Sequence, residues 1–118
     1  MFVIEALTVG GAERMVVAMA NQLLQLGWQV HVVCLREAGV LAVDLDTRVV
    51  VHVLHKRPGL DPALPWRLNR CLRKINPVVV NSHLWVGNTW TRLALFPTRI
   101  PIVVTEHSRD TWKPLYYR

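Results

Sequence analysis

The run Ile4-Glu5-Ala6-Leu7-Thr8-Val9-Gly10-Gly11-Ala12-Glu13-Arg14 constrains the fold more than any other feature of the chain. It joins an apolar strand to a helix through two adjacent glycines. Glycine lets a backbone come close to another group, and the first turn of a helix presents unpaired N–H donors with a partial positive charge. Such a corner can seat a phosphate or diphosphate. A tight corner with no ligand has the same sequence, so the loop by itself leaves both readings open.

From Ala12 to Leu26, the residues Met15, Val16, Met19, Leu23 and Leu26 recur at three- and four-residue steps, which predicts a helix with one core face. Gly27 terminates it. Trp28 to Leu35 is rich in Val and reads as a second strand, Val40 to Val43 as a helical turn after Gly39, and Val49 to Leu54 as a third strand. Lys56 to Pro65 is a loop punctuated by Pro58-Gly59 and Asp61-Pro62. Pro65 suits the first turn of a second helix, with Leu68, Cys71, Leu72 and Ile75 facing inward and Arg67, Arg70, Arg73 and Lys74 on the remaining surface. Asn76-Pro77 stops that helix. Val78 to Val80 then reads as a fourth strand, Gly87 to Phe96 as a third helix, Pro97 to Ile100 as a turn and Pro101 to Thr105 as a fifth strand.

Strands alternating with helices predict an α/β fold with a mostly parallel, doubly wound sheet of about five strands. The 118 residues, 52% of them hydrophobic, suffice for one core. The expected organisation is a single domain over 1–118. Few residues precede Glu5, and Trp112 to Arg118 reads as the start of another helix, so the chain is expected to be a fragment truncated at both ends.

Several function classes are disfavoured. Cys34 and Cys71 sit in apolar contexts without ligand-type spacing, which points to buried thiols in a reducing compartment and not to a disulfide scaffold or a zinc site. His31, His52 and His55 lack metal-ligand spacing and receive no role. The N-terminus has no basic leader region, which with the cysteines suggests a cytoplasmic location. Met15 to Leu35 carries no formal charge, but Asn21, Gln22, Gln25, Gln29 and Gly27 argue against a membrane span. The net charge of +6 asks for a partner. The arginines of the second helix could form a surface for anionic lipid at the inner face of a membrane, but a solvated face on a crossover helix is the more common explanation. Nucleic acid is disfavoured, because the aromatic residues are not interleaved with the basic ones.

In open α/β sheets, ligands bind beyond the carboxyl ends of the strands, where strand order reverses. Three polar clusters are expected at such ends: Gly10-Gly11 after the first strand, Asn81-Ser82-His83-Leu84-Trp85 after the fourth, and Thr105-Glu106-His107-Ser108 after the fifth. Singly, each histidine reads as a loop residue with a local hydrogen bond. Together, at adjacent strand ends, they favour a site in which imidazole holds a sugar hydroxyl or phosphate oxygen or stabilises developing charge. Trp85 either stacks on a ligand or caps the core.

Val9-Gly10-Gly11-Ala12-Glu13-Arg14, Leu26-Gly27-Trp28-Gln29-Val30, Val78-Val79-Val80-Asn81-Ser82-His83 and Pro101-Ile102-Val103-Val104-Thr105-Glu106-His107-Ser108, taken in order, resemble glycosyltransferase family 4. Trp112-Lys113 resembles the usual continuation. The resemblance implies the Rossmann-like N-terminal half of a two-domain, GT-B type enzyme that is retaining and metal-independent. It also implies a nucleotide-sugar donor as substrate, no separate cofactor, and a sugar or lipid-linked acceptor for hexosyl transfer in glycan biosynthesis. Carried over by motif, Gly10 and Gly11 approach the donor diphosphate, with Arg14 in the same motif. His107 lies beside the transferred sugar as the catalytic candidate, and His83 lines the acceptor side, with Asn81 and Trp85 in the same segment as further substrate-binding candidates. Many relatives carry His where this chain has Asn81. The family's E-x7-E pattern belongs to the C-terminal, donor-binding half, which is expected to lie outside this chain. Glu5 and Glu13 reproduce the spacing in the wrong domain, and the fragment alone is expected to be inactive.

Two rivals remain. Glu37 after the second strand mimics the acidic residue of a dinucleotide-binding oxidoreductase, although the loop lacks G-x-G-x-x-G spacing. A non-catalytic module binding phosphate or membrane is the other.

Overall fold

The computed structural model describes residues 1–57, 61–83, 90–92 and 100–105. Within them the chain runs β1 (Phe2–Ala6), α1 (Gly11–Gln25), β2 (His31–Glu37), a 3-10 turn (Val40–Asp44), β3 (Val50–Val53), α2 (Leu64–Ile75), β4 (Val80–His83) and β5 (Ile102–Thr105). The described strands form one sheet in the order β3-β2-β1-β4-β5, every neighbouring pair parallel. This is the expected α/β, Rossmann-like architecture. Residues 90–92 are helical, and the rest of the expected third helix lies outside the described residues, as do Pro97 to Arg99 and Trp112 to Arg118.

Strand side chains alternate between two cores. Phe2, Ile4, Val32 and Cys34 face α1 and pack with Val16, Val17 and Ala20. Val3, Val33, Leu35 and Val80 face α2 and pack with Leu68 and Leu72. Period-two alternation gives each strand an apolar residue for both faces, so the strands read as unbroken hydrophobic runs. Each fully buried Leu or Val contributes about 1.5–3 kcal/mol relative to exposure.

Helix ends follow local chemistry. Gly27, at φ 96°, closes α1 with Gly27 N–H on Leu24 O and Trp28 N–H on Leu23 O, both 3.1 Å. That paired arrangement is the Schellman motif, and it needs the left-handed residue that glycine supplies. Asn76, at φ 52°, ends α2 in the same region, with its N–H on Leu72 O at 2.7 Å. Asn21 ties α1 to the following turn, donating to Asp44 O at 2.9 Å and accepting from Asp46 N–H at 2.7 Å.

Three local expectations are corrected. The second strand begins at His31 and not at Trp28, because Gly27 reverses the chain and leaves Trp28 exposed. The fourth strand begins at Val80; Val78 and Val79 are exposed on the approach to the sheet, and Asn81 to His83 lie inside β4 and not in a loop after it. Arg67 turns inward to Asp61, which is itself buried, through contacts of 2.8 and 3.3 Å, and donates to Leu54 O at 3.1 Å. It therefore leaves the outer face of α2.

Candidate functional site

The order of the sheet places the reversal point between β1 and β4: the chain moves outward from β1 through β2 to β3, then returns to β4 on the other side. A crevice opens beyond the carboxyl ends of strands at such a point. The β1–α1 loop, residues 7–10, lies there.

Gly10 takes an extended backbone, φ 179° and ψ 168°, and no side chain caps the first turn of α1. Its carbonyl accepts the Arg14 N–H at 3.1 Å and closes that turn. Around Gly11 no atom lies within 4 Å of where a Cβ would sit, so its backbone faces open space. The Glu13 carboxylate folds over Gly10, where a Cβ would meet it. Arg14 is exposed. The loop therefore offers amide donors at an accessible helix start, with one flexible carboxylate beside them.

The wall on the β2 side was not foreseen as part of the site. Leu7 N–H donates to Ala38 O at 2.9 Å, and Leu41 N–H donates to Leu7 O at 2.9 Å, strapping the segment after β2 onto the end of β1. Gly39 makes this approach feasible: it sits at φ 84°, and a Cβ there would meet the Leu7 carbonyl carbon and oxygen at 2.5 Å. The pairing of β1 with β2 shifts register between Ile4 and Ala6, so β2 carries one extra residue just before this strap. The sequence signal was Gly39 itself, a lone glycine directly after a strand.

Arg36 spans the same end, 3.4 Å from Glu5 and 2.7 Å from Glu37. Glu5 lies within β1 and is paired with Arg36; Glu13 sits apart at the helix start. The Glu37 carboxylate is likewise faced by Arg36.

His83 is fully buried at the end of β4, its ring tilted 40° to that of Phe2 at 5.9 Å. Asn81 pairs in register with Phe2, at the opposite end of β1 from the glycine loop, and its N–H donates to Met1 O at 2.8 Å. Thus Gly10 and Gly11 lie at the reversal point, Arg14 is exposed on the first turn of α1, His83 is buried at the end of β4, and Asn81 is farther down that strand. Trp85 and His107 lie outside the described residues, as do Glu106 and Ser108. Among the described residues, no group of three His, Cys, Asp or Glu side chains could hold a metal ion, and no helix is long and apolar enough to cross a membrane.

A five-stranded parallel sheet with α1 on one face and α2 on the other defines a Rossmann-like α/β domain. The family model described as Glycosyltransferase Family 4 matches residues 9–118, and the chain belongs to that family. No curated protein matches the chain.

Proposed function

We propose that this domain is the acceptor-side part of a retaining, metal-independent glycosyltransferase, acting with a donor-binding half to move a hexosyl group from a nucleotide-sugar to a glycan or lipid-linked acceptor. The observation that carries the proposal is the uncapped start of α1 at the reversal point, in a chain of this family. Transfer requires charge stabilisation on the leaving diphosphate and an acceptor hydroxyl held at the anomeric carbon. The Gly10–Gly11 amides answer the first need, with Arg14 adding positive charge at the mouth. His107 is assigned to the transferred sugar and Trp85 to the acceptor side, with the buried His83 supporting that side from within the sheet; Asn81, at the other end of β1, is given no contact. The test is amide NMR of this chain titrated with a nucleoside diphosphate, together with a transfer assay over a panel of nucleotide-sugars. Shifts centred on Gly10 and Gly11 without turnover are expected. Absence of those shifts overturns the glycine-loop assignment, and robust turnover overturns the need for a second half.

A second contact is favoured by one feature of α2. Trp66 is 62% exposed, with the Arg70 guanidinium 4.9 Å from its ring centre, and Arg73 and Lys74 are also exposed. Leu64–Ile75 contains no acidic residue. An aromatic ring flanked by cations suits the headgroup layer of an anionic membrane, where a lipid-linked acceptor resides and where a cytoplasmic enzyme would dock. Sedimentation with phosphatidylglycerol vesicles is expected to carry the chain down, and Arg70→Gln with Arg73→Gln to release it. Equal binding to phosphatidylcholine vesicles sinks this contact.

A further inference from the structure

The sequence assigned His31 and His52 no role, yet the fold brings their rings together. His31 Nδ1 and His52 Nε2 are 3.0 Å apart, the ring centres 5.3 Å apart and the ring planes inclined by 17°. The centre separation equals one hydrogen bond plus the two ring radii, so the rings meet edge to edge and not face to face. Two nearly coplanar imidazoles aligned through facing nitrogens make an N–H···N hydrogen bond, and either ring can donate.

The bond sits where it has mechanical consequence. His31 opens β2, and His52 lies in β3, the outermost strand on that side of the sheet. β3 is only four residues long, and Val50 and Val51 are exposed. Backbone bonds also close the two ends of its pairing with β2, Val50 N–H to Val30 O just before β2 at 3.1 Å and Leu54 N–H, just after β3, to Cys34 O at 3.0 Å. The imidazole pair adds a side-chain tie between the same strands, distant from the glycine loop.

Proton bookkeeping for such a pair has a threshold. In the neutral pair, one facing nitrogen carries hydrogen and the other accepts. A first added proton goes to the outward nitrogen of the donor ring and leaves the bond intact, now charge-assisted. A second can only go to the accepting nitrogen, which places two N–H groups against each other. We propose that the His31–His52 bond is a pH-operated clip on the edge strand, which withstands one added proton and opens at the second, loosening β3 from β2.

The surroundings favour response to acid. Burial, followed by the N-terminal ammonium of Met1, lowers the His31 pKa; burial, then His31 and Lys74, lowers that of His52. The charged groups facing the pair are thus the Met1 ammonium from the start of β1 and Lys74 from α2, and among the described residues no carboxylate pairs with either ring. Protons have access, because His31 borders an open cleft of about 280 Å³ shared with Trp28, Asn76 and Val78.

The test is imidazole ¹⁵N NMR and amide exchange on the intact chain between about pH 8 and roughly pH 4.5, spanning the histidine range. A scalar coupling between His31 Nδ1 and His52 Nε2 is expected at the upper end, surviving the first protonation and vanishing at the second. At that second step, exchange protection of the Val50 and Leu54 amides, corrected for intrinsic rates, should fall roughly tenfold while that of α1 holds. In His52→Gln the step should disappear. Absence of the coupling near pH 8 overturns the proposal even if the variant fails to fold. An unchanged protection step in a folded His52→Gln protein overturns it equally.

Discussion

Gly39 lies against the backbone of Leu7 so closely that a single methyl group on it would overlap the Leu7 carbonyl. The contact couples the segment after β2 to the end of β1, through the two hydrogen bonds that Leu7 makes to Ala38 and Leu41. Gly39→Ala combines a positive φ with a backbone overlap and is expected to destabilise the domain by more than about 1 kcal/mol. Urea denaturation measures it directly; an unchanged midpoint would show that the strap relaxes without loss.

Gly11→Ala supplies the contrast. Nothing surrounds its absent Cβ, and the residue begins α1. Stability should stay equal or rise by up to about 1 kcal/mol, since alanine is the better helix former. Under the proposed function, nucleoside diphosphate binding should nonetheless weaken, because a methyl group projects into the space the ligand needs. Thermal melts and a binding titration on one preparation separate the two effects.

Asp61 is expected to govern acid stability of the β3–α2 connection. The Arg67 guanidinium, with help from the Arg57 N–H, lowers its pKa from 3.8 to about 2. A depressed carboxyl pKa stabilises the folded state above the ordinary value, and that stabilisation is lost as pH falls through the folded value. Wild type should therefore exceed Asp61→Asn in denaturation midpoint above pH 3.8, with the gap closing towards about pH 2. A gap independent of pH would refute the ion pair as its source.

Leu68 is fully buried beside Leu72, Val33 and Val80, so Leu68→Ala should cost about 2–5 kcal/mol. Val43 is 84% exposed, and Val43→Ala should change stability by less than about 0.5 kcal/mol. Equal losses at both positions would contradict the placement of the second core.

Thiol chemistry should distinguish the two cysteines. Burial raises Cys34 from 9.0 to about 11, partly offset by a hydrogen bond from the Leu7 backbone, whereas Cys71 is only partly buried. A two-unit rise leaves roughly a hundredfold less thiolate. A disulfide-exchange reagent should modify Cys71 in the native protein and reach Cys34 only on unfolding.

Most of the fold was legible because alternation of strand and helix patterns is a repeated signal. Helix α1 reads from its apolar period and ends at Gly27, which no neighbouring residue could replace cheaply. The errors fall where tertiary contact overrides local pattern. Val78 and Val79 look like strand, yet the sheet begins at Val80 and buries Ser82 and His83, polar residues that pattern reading assigns to a loop. Arg67 falls on the outer face by period but is drawn in by Asp61, six positions earlier. The glycine loop was visible as a motif, whereas its strap was only half visible, since the lone Gly39 marks a turn after β2 but not that its backbone will meet Leu7. The His31–His52 bond depends on the register of β2 with β3, which period alone does not supply.

The position of β1 bears on how the chain is born. Its flank towards β4 is completed only when Asn81 and Ser82 arrive to pair with Phe2 and Val3. A ribosome must therefore deliver some eighty residues while the middle of the future sheet keeps one bare edge, an invitation to mispairing. β2 and β3 emerge in time to shelter the opposite flank, and α1 covers one face. The half-sheet β3-β2-β1 thus has to persist as a waiting template, and changes that weaken it should appear first as poor yield during synthesis, before any loss in the finished molecule.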